Sequence, residues 1–180
     1  MKKLLSVLLA LTMLVGVIPT FVASAATEIG SVSVEIMAPR AGRSPSYEAR
    51  VNTTGVLLDV EDDTYQEYDE NGVIWFCGDN PMLPSETFEI GKFYTVRIGL
   101  CVESDAYEFR TNLAVECVIN GGAGYRQYGT YSYVAVEYTF PVIEGYTVSF
   151  NAGDGSGTME PVKAACDYTV PECTFTPPSG

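Results

Sequence analysis

The 180-residue chain is 47% hydrophobic and only 18% charged, with 12 Tyr, 17 Gly and 10 Pro, a balance that suits strands and turns better than helices or disorder. Its formal charge of -13 sets its surface against phosphate backbones, so no nucleic acid is expected as a partner. It contains no His, which removes Ser-His-Asp and Cys-His nucleophile systems and every zinc site that needs imidazole.

Lys2 and Lys3 precede an apolar stretch from Leu4 to Ile18, and Pro19 breaks it before Ala23-Ser24-Ala25. That order predicts a secretory signal over residues 1–25 with cleavage after Ala25. An uncleaved anchor is the alternative, since the apolar run counted to Val22 just reaches bilayer-spanning length. Cleavage leaves 155 residues and a charge of -15, with no second run long enough to span. The mature chain is therefore read as secreted or at the cell surface, with no membrane contact after cleavage.

The mature chain opens on alternation. Val32, Val34 and Ile36 fall on one face of a strand and Ser33 and Glu35 on the other. Turn chemistry from Ala38 to Pro45 precedes a second strand through Tyr47, Ala49 and Val51. Val56 to Val60 supplies a third short strand, Glu61 to Gly72 reads as an acidic loop, and Val73 to Cys77, apolar on both faces, reads as a central strand that places Trp75 in the core. After the two prolines of Gly78–Ser85, Tyr94, Val96, Ile98, Leu100 and Val102 oppose Thr95, Arg97 and Glu103 in the clearest strand of the chain. Tyr107 and Phe109 begin another strand, and Leu113, Val115, Cys117 and Ile119 line the next before the Asn120-Gly121-Gly122 turn. A last long strand turns Val134, Val136, Tyr138 and Phe140 inward and Tyr131, Tyr133 and Glu137 outward. Seven or eight short strands over about 115 residues predict an all-β fold, an immunoglobulin-like β-sandwich over residues 26–144.

A new unit starts near Glu144, where Tyr146, Val148 and Phe150 alternate into the glycine-rich run Asn151–Gly157, read as a hairpin turn. The 36 residues from 145 to 180 fall below the size at which a unit folds readily alone, so the chain is expected to stop part-way through it. Its order of strand, glycine turn, Thr158-Met159, Tyr168-x-x-Pro171 and Phe175-x-x-Pro178-x-Gly180 resembles the opening half of a Listeria-Bacteroides repeat, the B-repeat type of internalin-like surface proteins. That resemblance implies a partial β-grasp-like module. The segment from Val32 to Phe140 looks like the β-sandwich modules of secreted proteins from Gram-positive gut bacteria. Ala38-Pro39-x-Ala41-Gly42, Val73-x-Trp75, Phe88-x-x-Gly91-x-x-Tyr94, Ala106-Tyr107-x-Phe109 and Val118-Ile119-Asn120-Gly121 carry that likeness through their order and spacing. It implies a repeated spacer or an adhesive unit in the cell envelope, with no catalytic residue to carry over.

Few constellations carry chemistry. The carboxylates Glu61-Asp62-Asp63 and Asp69-Glu70 are oxygen donors of the type Ca²⁺ takes, yet they lack the EF-hand spacing and read better as a solvated acidic loop. The glycine-rich run has no following Lys-Ser/Thr, which leaves phosphate cradling unsupported. Asn52-Thr53-Thr54 is a glycosylation sequon by pattern only. No metal, cofactor or catalytic site is expected, and no enzyme activity. Tyr125, Tyr128, Tyr131 and Tyr133 cluster near one hairpin; Tyr131 and Tyr133 are the candidate ligand contacts, with ordinary strand tyrosines as the plainer reading. A host or neighbouring-cell surface protein or glycan is the partner class this suggests, and a carbohydrate-binding module using those outward tyrosines is the alternative function.

Five Cys remain, Cys77, Cys101, Cys117, Cys166 and Cys173, without a CxxC. Strand phasing sends Cys101 and Cys117 to opposite faces, so no bridge is expected between them. Cys77 shares the face of Trp75 and is the better partner for Cys117, although a free, buried Cys117 is preferred over that pair.

Overall fold

A computed structural model describes residues 25–60, 69–110, 115–165 and 168–178. Nearly all of the expected signal, most of the acidic loop (61–68), Leu113 and Cys166 lie outside the described residues. The fold is all-β, with fourteen strands and no helix among the described residues.

The strands are β1 (Thr27–Ile29), β2 (Ser31–Ile36), β3 (Ala49–Val51), β4 (Val56–Leu58), β5 (Asp69–Glu70), β6 (Val73–Cys77) and β7 (Asn80–Pro81). They continue with β8 (Tyr94–Val102), β9 (Tyr107–Phe109), β10 (Glu116–Ile119), β11 (Gly122–Gly129), β12 (Tyr133–Thr139), β13 (Tyr146–Val148) and β14 (Val162–Ala164). Ten of them join one sheet in the order β3-β2-β10-β11-β12-β8-β6-β5, with β4 added to β8 and β7 to β6. β1 pairs in parallel with β9, and β13 pairs with β14 as a separate hairpin.

The sheet curls because β11 belongs to both of its halves. Gly122–Gly124 pair with Ile119–Cys117 of β10, whereas Tyr125–Gly129 pair with Glu137–Val134 of β12. A strand that changes partners midway turns a corner, and close approach there requires a small residue. Gly124 supplies it: a Cβ at this position would lie 2.7 Å from the Glu137 carbonyl oxygen and 3.0 Å from Cys117 Sγ. On the other side, the turn between β3 and β4 carries the chain from one half of the sheet to the other, held by Asn52 N–H donating to the Ser33 carbonyl and Glu103 N–H donating to that of Gly55.

The core fills the inside of the curl. Val32, Val34 and Ile36 meet Val73, Trp75, Tyr94, Val96, Ile98, Leu100, Cys117, Ile119, Val134 and Val136 there. Trp75 has no exposed surface, its indole N–H donates to the Ser46 carbonyl over 2.8 Å, and Phe88 and Phe140 flank it with ring centroids 5.1 and 5.6 Å away. The period-2 pattern of β2, β8 and β12 thus reaches the interior as their sequences indicate. β8, nine residues long, is the spine: β12 lines one edge, while β6 and β4 share the other.

Several local expectations change. Asp69 and Glu70 pair with Ile74 and Val73 across the Asn71-Gly72 turn, so the end of the acidic loop is a hairpin arm. Tyr131 lies in the turn before β12 rather than in the strand. The Asn151–Gly157 run is part of a loop over 149–161 whose Ser156 bridges to Thr176, which is wider than a tight hairpin turn. The Asn120-Gly121 turn fits the sequence: both residues take positive φ, 51° and 79°, as a two-residue hairpin loop demands.

Candidate functional site

The outer side of the β11-β12-β8-β6 half gathers the polar and aromatic side chains that the core rejects. Tyr125 of β11 lies across from Glu137 of β12, Glu137 across from Arg97 of β8, and Arg97 across from Ile74 of β6. Glu137 is expected to point to solvent, and it does leave the apolar core, yet it is 4% exposed. Neighbouring strands cover it. Arg97 Nε donates to Glu137 Oε1 over 2.5 Å, and the Tyr125 hydroxyl donates to Glu137 Oε2 in a short hydrogen bond. Both carboxylate oxygens are engaged, which is what allows a charge to sit buried on a sheet face.

The same contacts fix their partners. The hydrogen bond to Glu137, reinforced by partial burial, pushes the Tyr125 phenol above its ordinary value and holds the ring in place. The Arg97 guanidinium carbon sits 4.7 Å from the centre of the Phe76 ring. Phe76, Gly78, Asp79, Thr95, Arg97, Tyr125, Gln127 and Glu137 enclose a cleft of about 280 Å³ on this face.

A bulge in β11 decides which tyrosines share the face. Arg126 pairs with Val136 and Tyr128 with Ala135, so Gln127 is the extra residue. Three positions apart in a regular strand, Tyr125 and Tyr128 would point to opposite sides; the bulge sets both on the outer side. Tyr128 then meets Tyr133 of β12, with ring centroids 5.9 Å apart at an interplanar angle of 34°. Gly99, directly across from Ala135, leaves space beside the Tyr133 ring.

The two candidate contacts part company here. Tyr133 belongs to the sheet face and is half-buried beside Tyr128, whereas Tyr131 is 64% exposed in a turn whose carbonyl accepts from Phe109 N–H. The residues that build the cleft, Arg97, Tyr125, Gln127 and Glu137, are not legible as a group in the sequence: they come from three strands and a bulge.

The cysteines occupy the faces that strand phasing assigns. Cys117 is buried in the core cluster, and burial pushes its thiol up to about 11. Cys101 lies on the outer side with Thr95 and Arg97, its thiol directed to the Leu58 carbonyl. Cys77, Cys117 and Cys173 are free thiols, so Cys77 and Cys117 are not joined. Among the described residues no group of three or more Cys, Asp or Glu is placed to hold a metal ion, and no helix is long and apolar enough to cross a membrane. No family model, curated protein or solved structure matches the chain.

Proposed function

We propose that the chain is a non-enzymatic module of an exported or cell-surface bacterial protein. In this reading an immunoglobulin-like β-sandwich over residues 26–144 precedes the opening part of a Listeria-Bacteroides-type repeat over 145–180, and the whole acts as a spacer or adhesive unit. One observation supports adhesion in particular. The apolar residues are spent on the inside of the curl, while Tyr125, Tyr128 and Tyr133 stand on a rigid outer face, offering aromatic area that ordering does not have to fix on contact. The partner class is a surface protein or glycan of a host or neighbouring cell.

Residues 26–180, immobilised on beads, test this against whole bacterial and epithelial cells. Saturable capture that falls about tenfold with Tyr128→Ala/Tyr133→Ala supports the adhesive unit. Capture of no cell type supports a spacer. A carbohydrate-binding module is the second reading, favoured by the tilted Tyr128–Tyr133 pair and by the exposure of Tyr131 in the turn before β12.

A further inference from the structure

We infer that the cleft between Tyr125 and Asp79 binds one neutral sugar ring of a glycan, an inference that rests on the adhesive reading of this face. Its wall is built before any ligand arrives. Tyr125 is half-exposed, at 52%, yet its hydroxyl is tied to a buried carboxylate, so its ring is a fixed plane on which the C–H face of a pyranose can lie. Around that plane stand the groups that read hydroxyls: Gln127 supplies an amide donor and acceptor, Asp79 a carboxylate acceptor, and Thr95 a hydroxyl that already shares a 2.8 Å hydrogen bond with the Thr139 hydroxyl. Asp79 and Gln127 are exposed, and Gln127 reaches the cleft only because the bulge inserts it into β11.

Size and charge narrow the ligand. About 280 Å³ lies just under the roughly 300–1,000 Å³ of sites that take drug-sized molecules, which suits a single ring and leaves the rest of a chain outside. Arg97 would attract a carboxylate or sulfate, but Glu137 already neutralises it, and its guanidinium is stacked on Phe76. Asp79 then leaves the cleft with an acidic balance inside a chain of formal charge -13. Uronic acids, sialic acids and sulfated sugars are repelled, and a neutral hexose or N-acetylhexosamine is not.

Amide chemical shifts of ¹⁵N-labelled residues 26–180 are followed while D-glucose, D-galactose, D-mannose, N-acetyl-D-glucosamine and D-glucuronate are added singly. At least one neutral sugar is expected to bind with a dissociation constant on the order of millimolar, shifting Gly78, Asp79, Tyr125 and Gln127. Gln127→Ala and Asp79→Ala, both at exposed positions, are each expected to weaken it about tenfold, the loss of a hydrogen bond to the ligand. Tyr125→Phe, which keeps the ring and frees it from Glu137, is expected to weaken binding less than Tyr125→Ala. D-glucuronate is expected to bind at least tenfold more weakly than its neutral counterpart. Silence toward all neutral sugars, shifts confined to Tyr131 and its turn, or unchanged affinity in Gln127→Ala and Asp79→Ala overturns the inference. Cell capture that depends on Tyr128 and Tyr133 while the cleft stays silent would leave adhesion standing and sink only the sugar site. Sugar binding in the cleft without cell capture would support the site and count against adhesion to those cells.

Discussion

Trp75 shows how much rests on single side chains. It combines complete burial, a 2.8 Å hydrogen bond to the Ser46 carbonyl and contacts with Phe88 and Phe140. Trp75→Ala is expected to cost about 3–5 kcal/mol, readable as a drop in the denaturant midpoint, and Trp75→Phe less, since the ring contacts survive while the Ser46 carbonyl loses its donor. A second expectation concerns alkali. Burial raises the Cys117 thiol from 9.0 to about 11, burial raises the Tyr94 phenol, and the hydrogen bond to Glu137 raises that of Tyr125. Each folded-state value lies above the unfolded one, so the stability these groups contribute is intact below about pH 9 and is lost as pH climbs toward 11. Thermal midpoints should hold from pH 7 to 8.5 and fall above pH 9, and Cys117→Ala should flatten part of that decline. At pH 8, alkylating reagents should modify the exposed Cys173 and leave Cys117 untouched until the protein unfolds.

Among the elements, β11 carries the most information and was the hardest to read. Its residues Gly122-Ala123-Gly124-Tyr125-Arg126-Gln127-Tyr128-Gly129 show no alternation, because the first three serve one half of the sheet, the rest serve the other, and a bulge resets the phase between them. Gly124→Val should destabilise by about 1–3 kcal/mol, since its side chain meets a backbone oxygen of β12 that cannot give way without separating the strands. Deletion of Gln127 should instead leave a regular ladder in which Tyr128 still faces Ala135 and still meets Tyr133. Equal unfolding midpoints for Gly124→Val and the parent would contradict the corner. By contrast, β2, β8 and β12 were legible because one face of each is buried, and there a slip of one residue would expose the whole apolar set. Phasing also placed Glu137 correctly on the outer side. It could not reveal burial, which depends on Arg97, forty positions away in sequence, and on a tyrosine of the next strand. β5 and β7, two residues each, are too short to carry a pattern, and Pro81 in β7 marks an edge that needs no further donor.

For the whole molecule, the core closes before the last hairpin begins. Between residues 145 and 178, Ala164 alone among the described residues joins the buried apolar set, and it lies outside the main core cluster. The contacts of this segment are peripheral: Gly145 lies close against Ile90, and Tyr146, Ala164 and Ala165 line a cleft of about 380 Å³ with Ala38–Ala41 and Phe140–Glu144. A chain ending at Glu144 should therefore unfold cooperatively, within about 1 kcal/mol of the parent by chemical denaturation, and loss of folding on removal of 145–180 would show that the boundary is misplaced. Secreted material is expected to begin at Ala26 on amino-terminal sequencing, and an intact Met1 or Lys2 terminus recovered from membranes would favour an anchor. Strand direction has its own consequence. β2 runs parallel to β10, β10 antiparallel to β11 and β11 antiparallel to β12, so β12 runs in the sense of β2. β2 thus starts at Ser31 and β12 finishes at Thr139 at opposite ends of the strands. Tension applied through the two ends pulls along the strands rather than across them, and the hydrogen bonds of β2 to β3 and β10, like those of β12 to β8 and β11, take the load together instead of parting one after another.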